Sequence, residues 1–483
     1  MTQPAAQTAP EPRRWQAFAV CVTVAGLTIL DISKVNVALP SIESALSAGG
    51  TELQIVVAGY ILAFGLVLVP MGRLGDQWSR KILLLIGIAV FGLASMLCAL
   101  APTIQPLLIG RLLQGVGGGI IMPQVTGTFQ RLFTGRDRAK AFGIFGAIIS
   151  LGTAFGPAIG GVFIAIGGDT NGWRGIFWMN VPAYAIAFAL VLWLLPGSKA
   201  SAGARRISLD PVGLVIFAVA ILSLMVPFLL TTGSGDDNPA RWLMLVVFAG
   251  LIVLFGWWES RYEREGRAPL VSPALLRNTS YRNGAIVGAA YFAGMPVLFL
   301  LTTVFLQTGL HLAALHAGLI TVGFAVASAV TSAFSGRLVV RYGRIVVVLS
   351  LVGMAVTIAA LVVVSVVSPD AATPWIMFAV LTAGGLAGGL VISPNQTLTL
   401  SNIPPQQGGI AGSIQQLGQR IGTSMGTAVA LSLFYSTVNA SDDGGTAVFH
   451  TAYAVALAAV GGFMLVALVF AVVDLRRSAP VSG

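Results

Sequence analysis

Long apolar segments recur along the whole chain and are separated by short polar breaks. Each segment has roughly 20 residues or more, enough for an α-helix to cross about 30 Å of hydrocarbon. A transmembrane β-barrel would instead require short strands in which apolar and polar residues alternate. The pattern therefore predicts fourteen membrane-spanning helices, approximately at residues 15–39, 53–74, 82–101, 106–132, 139–166, 173–195, 210–231, 241–258, 283–307, 315–338, 345–367, 374–400, 408–435 and 447–473.

The composition supports an all-α integral membrane protein. Of the 483 residues, 56% are hydrophobic and only 9% are charged, whereas a soluble domain carries about 25% charged residues. The two cysteines, Cys21 and Cys98, both lie within apolar segments, so we expect neither a disulfide framework nor a metal site.

The net charge of +10 is explained by the arrangement of the loops. With the predicted spans, 22 of the 27 lysines and arginines fall on the side of the N-terminus, and only Arg174 and Arg241 fall on the opposite side. The positive-inside rule then places both termini in the cytoplasm of a multi-pass protein of the cell membrane. The charge therefore does not indicate a nucleic-acid partner.

Four ionisable residues lie at membrane depth: Asp31, Lys34, Arg111 and Arg420. Such residues are expensive to bury and are treated as functional by default. Asp31 and Lys34 are one helical turn apart and share a helix face. Burial disfavours the charged form of a carboxyl group and a nearby cation favours it, so proton binding at Asp31 is expected to depend on the conformation around it.

The chain contains an internal duplication. "MGRLGDQWSRKI" (71–82) and "SGRLVVRYGRIV" (335–346) both follow a span and share Gly-Arg-Leu with a second arginine seven residues later. Two similar halves are typical of transporters in which the binding site lies between pseudo-symmetric repeats. We predict an N-terminal six-helix bundle (1–195), a linker with two extra helices (196–268) and a C-terminal six-helix bundle (269–483).

Four motifs make the chain similar to the fourteen-helix drug:proton antiporter branch of the major facilitator superfamily. The first-helix motif stands as "LDISKVNVALP" (30–40), with Lys34 where the family has an apolar residue, and the fourth-helix motif as "RLLQGVGGG" (111–119). The loop motif matches at Gly72, Leu74, Asp76, Arg80 and Lys81, and the fifth-helix motif at Gly152, Gly156, Pro157, Gly160 and Gly161.

The resemblance implies a proton-coupled antiporter that exports amphipathic small molecules, such as drugs, by alternating access. It implies proton coupling through Asp31, Arg111 and Lys34, and we assign substrate binding to Asn36, Gln114 and Arg420. The loop residues Gly72, Asp76, Arg80 and Lys81 are expected to close the cytoplasmic side, and the fifth-helix motif to seal the cavity. We expect no enzymatic activity and no cofactor, with the proton gradient as the energy source, membrane lipids as surroundings and a monomeric protein.

Other interpretations stay open. The charged residues can be structural ion pairs, Arg420 can bond backbone carbonyls, and the glycines can serve packing alone. One acid against three bases suits a lipid translocase or an exporter of an anionic metabolite as well as a drug exporter. A membrane enzyme is disfavoured, because the chain has no P-loop and no HExxH motif.

Overall fold

The computed structural model describes residues 11–195, 210–229, 239–267, 269–440 and 445–477. Within these ranges the regular structure is entirely helical. The α-helices are α1 (Glu11–Leu46), α2 (Gly50–Gln77), α3 (Arg80–Leu100), α4 (Ile104–Leu132), α5 (Gly135–Trp178), α6 (Asn180–Leu194), α7 (Pro211–Leu229), α8 (Met244–Arg264), α9 (Pro273–Arg277), α10 (Thr279–Val304), α11 (Ala314–Tyr342), α12 (Ile345–Val367), α13 (Thr373–Gly388), α14 (Ile392–Thr399), α15 (Gly408–Asn439) and α16 (Thr446–Arg477).

The prediction of fourteen spans is confirmed, because fourteen helical segments of the described chain are long and apolar enough to cross a membrane. Three boundaries differ from the prediction. The fifth and sixth spans are joined through a kink at Gly168, whose φ of 70° favours glycine. The twelfth span is divided into α13 and α14. The predicted end of the first span is wrong, since α1 continues through Pro40 to Leu46.

The helices form two bundles. In the first, α1 packs on α5, and α4 packs between α2 and α3. In the second, α10 packs on α15 and α16, and α11 packs on α13. Each bundle has a buried apolar core, which includes Phe64, Phe91 and Phe129 in the first and Leu298 and Tyr453 in the second.

The two inserted helices lie beside the junction between the bundles. α7 packs on α8, and also on α2 of the first bundle and α15 of the second. The amide of Gln54 in α2 donates to the carbonyl of Leu229 at the end of α7, at 2.5 Å. α8 lies outside, with Val246 and Val253 about 70% exposed, as expected of a lipid-facing helix. Residues 196–209 of the predicted linker lie outside the described residues.

The halves meet at the end of the molecule that carries the start of α1 and the end of α16 together with most of the positive charge, which we call the basic face. On this side α5 packs on α11: Ser332 Oγ donates to the carbonyl of Gly143 at 3.1 Å, and Ser150 and Ser328, further along the same two helices, share a hydrogen bond of 3.1 Å. Gly336 packs directly on the backbone of Ala139. The structure is therefore the state in which the basic face is closed.

Candidate functional site

Asp31 lies in the interior of the first bundle with both carboxylate oxygens engaged. Oδ2 accepts a hydrogen bond from Arg111 Nη1 at 2.8 Å, and Oδ1 accepts one from Asn180 Nδ2 at 2.7 Å. The ammonium of Lys34 lies 3.4 Å from the same Oδ1. None of these four residues is more than 1% exposed. The structure thus brings together three residues to which the sequence assigned proton coupling.

Arg111 is held in place by three further contacts. Its Nη1 also donates to Gln114 Oε1 at 2.8 Å, and its Nε donates to the carbonyl of Val56 at 3.0 Å. Its guanidinium lies over the ring of Tyr60, 4.4 Å from the ring centre. Since the planar guanidinium is engaged on its edge and on its face, Arg111 is a fixed partner for the carboxylate.

Asn180 and Ser95 complete this group, which we call the carboxylate cluster: Asp31, Lys34, Ser95, Arg111, Gln114 and Asn180. Lys34 Nζ donates to Asn180 Oδ1 at 2.6 Å, and Gln114 Nε2 donates to Ser95 Oγ at 2.7 Å. Sequence reasoning missed both Asn180 and Ser95. The available signal was a neutral polar residue within an apolar segment, which is weak because such residues also serve helix packing.

Gln114, to which we assigned substrate binding, is fully buried in this cluster. Asn36, assigned the same role, lies exposed on α1. The carboxylate cluster is therefore sealed in this state, and of these two residues only Asn36 is accessible to a substrate.

A second set of contacts closes the basic face and is called the latch: Asp76, Arg80, Gly127, Gly409 and Ile410. Asp76, at the end of α2, accepts hydrogen bonds from the backbone amides of Gly409 at 3.0 Å and Ile410 at 2.9 Å. These amides belong to the first turn of α15, where N–H groups have no partner within the helix and the helix dipole favours a negative charge. An aspartate of the first bundle thus caps a helix of the second.

Two cations support the latch from the first bundle. Arg80 donates to Asp76 Oδ1 at 2.5 Å and to the carbonyl of Gly127 at 2.6 Å, which fixes the carboxylate on α4. Lys81 donates to the carbonyls of Leu192 and Leu195 at 2.8 and 2.7 Å, at the end of α6. The hydrogen bonds of Asp76 to the amides of Gly409 and Ile410 join the two halves. Gly72 allows close approach, since a Cβ there would stand 2.9 Å from the carbonyl oxygen of Gly409.

The fifth-helix glycines form the contact between α5 and α1. A Cβ at Gly160 would stand 2.8 Å from the carbonyl oxygen of Lys34, and one at Gly156 would stand 3.1 Å from the amide nitrogen of Lys34. Gly152 lies against Gly26, whereas a Cβ at Gly161 would meet nothing within 4 Å. Pro157 lies inside α5, where it removes one backbone hydrogen bond. In this state the motif therefore positions the helix that carries Asp31 and Lys34.

Arg420, in the middle of α15, lies against the first bundle. Its guanidinium is 4.6 Å from the ring centre of Phe64. Within the described ranges no carboxylate lies within 4.0 Å of it and its guanidinium makes no hydrogen bond. The carboxylate of Asp31 is bound by Arg111 and Asn180 instead.

Several side-chain amides of the second bundle lie around Gly288. Asn395 Nδ2 and Gln419 Nε2 lie 3.6 Å, and Gln415 Nε2 3.9 Å, from the position that a Cβ of Gly288 would occupy. Gln415 Nε2 has no hydrogen-bond partner among the described residues, and the same holds for Gln416 Nε2, one helical turn before Arg420. This part of the second bundle offers hydrogen-bond donors without a negative charge.

A sequence profile described as Major Facilitator Superfamily matches residues 21–276 and 284–483. The chain belongs to the major facilitator superfamily. Membership in this superfamily identifies a multi-pass membrane protein that transports small-molecule substrates, and it agrees with the fourteen apolar helices.

Three similar proteins are named as a transporter or as resistance proteins. The probable actinorhodin transporter of Streptomyces coelicolor is 31% identical, over 94% of this chain and 78% of that protein. Multidrug resistance protein Stp of Mycobacterium tuberculosis is 31% identical, over 89% of this chain and 78% of that protein. Puromycin resistance protein pur8 of Streptomyces alboniger is 30% identical, over 98% of this chain and 94% of that protein.

A solved structure shares the fold at low sequence identity. The human organic anion transporter MFSD10 superposes with a TM-score of 0.66 at 14% identity, over 96% of this chain and all of that chain. This likeness supports the major facilitator fold alone.

Proposed function

We propose that this transporter exports amphipathic small molecules, drugs and toxic compounds among them, across the cell membrane in exchange for protons. The observation that carries the proposal is the burial of one carboxylate, Asp31, between two cations in the carboxylate cluster. The names of the relatives support export of toxic compounds. By the positive-inside rule the basic face is cytoplasmic, so the closed basic face corresponds to the state that faces outward.

The charge of the cluster explains how a proton would act. With Asp31, Lys34 and Arg111 all ionised, the buried group carries one net positive charge. A proton on Asp31 would raise this to two and remove the attraction that holds Arg111 and Lys34, so the cluster would rearrange. Proton binding would therefore favour a conformation other than this one. One proton crossing 100 mV supplies about 2.3 kcal/mol, which drives a substrate about fiftyfold uphill.

Lys34 gives the cluster a second group that can release a proton. Its Nζ has two acceptors here, Asn180 Oδ1 at 2.6 Å and Asp31 Oδ1 at 3.4 Å. A neutral amine has two N–H bonds, one for each of these acceptors, whereas an ammonium has three N–H bonds. Arg111 stays charged in either case. Proton exchange is thus shared by Asp31 and Lys34.

Transport in proteoliposomes with an imposed pH gradient tests this proposal. We expect gradient-driven movement of a monocationic dye by the native protein, and its loss in Asp31→Asn and Lys34→Met. The double variant Asp31→Asn/Lys34→Met controls for folding, because each single variant changes the charge balance and the double variant restores it. Gradient-driven transport at full rate in Asp31→Asn would refute the role of the carboxylate.

Export of an organic anion or an anionic lipid is a second candidate function, favoured by Arg420. This cation has no carboxylate partner among the described residues, and the amide nitrogen of Gln416, four residues before it in α15, has no hydrogen-bond partner among them either. Competition between a monocationic dye and an organic anion such as carboxyfluorescein separates the candidates. Transport of the anion but not of the cation would select the second.

A further inference from the structure

Asp210 and Glu259 form a buried pair of acidic side chains where the inserted helices meet the basic face. Asp210 directly precedes α7, Glu259 lies near the end of α8, and they are 1% and 2% exposed. Gly213 leaves the space between them: a Cβ there would stand 2.6 Å from Glu259 Oε1 and would touch Asp210 Oδ2. One oxygen of each carboxyl group therefore faces the same small volume.

Three of the four carboxyl oxygens have hydrogen-bond partners, which come from three parts of the chain. Asp210 Oδ1 accepts the N–H groups of the first turn of α7, at 3.1 and 2.9 Å. Its Oδ2 accepts from Trp258 Nε1 at 2.5 Å. Glu259 Oε2 accepts from the amide of Val271, at the start of the second half. Glu259 Oε1, in contrast, has no hydrogen-bond partner among the described residues.

We propose that Glu259 and Asp210 bind one proton between them in this closed state. The proton bonds to Glu259 Oε1 and is donated to Asp210 Oδ2, which gives the unpaired oxygen its partner. A buried polar atom without a partner is rare, and two ionised carboxylates facing the same buried volume repel each other. The proton comes from water at the basic face and returns to it when the site opens.

The charged residues around the pair connect it to the latch. Arg73 of α2 is near enough to attract both Glu259 and Asp76. Glu263, one turn beyond Glu259, is exposed and accepts a hydrogen bond from the hydroxyl of Ser272. Since α7 packs on α2 and α15, loss of the proton would push α7 and α8 apart at the two helices that the latch joins. The inserted helices would therefore stabilise the contact between the two halves only while the pair holds its proton.

Infrared spectroscopy of the full chain in lipid tests the site without any transport assay. We expect the carbonyl stretch of a protonated carboxylic acid at neutral pH, absent in Glu259→Gln and retained in Glu263→Gln, the matched exposed acid on the same helix. Persistence of the full band in both Glu259→Gln and Asp210→Asn would overturn the proposal. So would stabilisation of the native protein by sodium or potassium that Glu259→Gln abolishes, since a metal cation would then occupy the site.

Thermal unfolding gives a second measurement. A proton held by this carboxyl pair only in the folded protein makes stability fall as pH rises above the range in which a free carboxyl group titrates, so the melting temperature of the native protein should fall between about pH 5 and pH 7 by more than that of Glu259→Gln. If Glu259→Gln does not fold, Gly213→Ala replaces it, because its methyl group would separate the carboxyl groups. Its control is Gly256→Ala, where a Cβ meets nothing within 4 Å. Equal pH slopes in the native protein and in the variant that folds would contradict the proposal.

Discussion

Asp76 of the first half accepts a hydrogen bond from the amide of Ile410 in the second half, at 2.9 Å. With the parallel bond from Gly409, this contact places a buried carboxylate on the N-terminus of α15. The same carboxylate is held by Arg80. A rocking motion that opens the basic face must therefore break both hydrogen bonds from the amides of α15. The ion pair between Asp76 and Arg80 lies within the first half and can remain.

Asp76→Asn is expected to favour opening of the basic face. The amide side chain keeps one acceptor oxygen but loses the charge that suits a helix N-terminus. Hydrogen bonds to charged groups contribute about 1.5–3 kcal/mol, so we expect the open population to rise about tenfold or more. Spin labels at Arg136 and Arg341, exposed on the basic face in different halves, would report the change as a longer distance.

Glu265→Gln is the control for the latch experiment. Glu265, an exposed acid directly after α8, pairs with Arg261 in the last turn of the same helix, so its neutralisation should leave the distance unchanged. The native cysteines are both buried, which limits labelling elsewhere. An unchanged distance distribution in Asp76→Asn would show that the carboxylate does not hold the halves together.

Asn180→Leu is expected to disturb proton coupling without touching a charged residue. It removes the donor to Asp31 Oδ1 and the acceptor of Lys34, so both charges lose a neutral partner. We expect a loss of about 1–3 kcal/mol of stability together with a shifted pH profile of transport. The matched variant is Thr28→Val, which removes a buried hydrogen bond to Tyr184 outside the cluster.

The pH profile distinguishes positioning from folding at Asn180. Thr28→Val should lower the melting temperature and leave the pH profile of transport as in the native protein. Should the two variants shift the profile equally, or not at all, Asn180 would be only a structural residue.

The helical architecture could be predicted because the membrane leaves few alternatives. Backbone groups in hydrocarbon must be satisfied within the segment, so length and apolarity were enough to find fourteen helices. The end of α1 was missed because proline lacks only its own N–H and can be tolerated inside a transmembrane helix. Pro40 thus ends the apolar pattern without ending the helix.

The candidate site could be predicted in its charged members and, through the fourth-helix motif, in Gln114. Asp31, Lys34 and Arg111 stand out because charge in a span is rare. The neutral residues Asn180 and Ser95 do not, and the pairing of Asp76 with α15 depends on how two distant segments pack. The position of the inserted helices against both halves is likewise set by tertiary packing and was not visible in the sequence.

Arg420→Gln is expected to separate the two candidate substrates. Removal of a cation that has no carboxylate partner among the described residues should weaken binding of an organic anion, raising its KM about tenfold for about 1.4 kcal/mol of lost attraction. The KM for a monocationic dye should be unchanged or lower. The measurement is initial transport rate against substrate concentration in proteoliposomes. An equal rise in KM for both substrates would indicate that Arg420 only supports the packing of α15 on Phe64.

Gly160→Ala is expected to impair transport, and its neighbour provides the control. The new methyl group would stand 2.8 Å from the carbonyl oxygen of Lys34, which belongs to backbone and cannot rotate away. Overpacking of this kind costs about 1–3 kcal/mol, and the displacement of α1 should also disturb the carboxylate cluster.

Gly161→Ala adds the same methyl group where nothing lies within 4 Å. Alanine is the better helix former by about 1 kcal/mol, so this variant should be neutral or slightly stabilising. Melting temperature and gradient-driven transport, measured on both variants, decide between a specific contact and a general need for glycine. If Gly161→Ala were as damaging as Gly160→Ala, the close approach of α5 to Lys34 would not explain the motif.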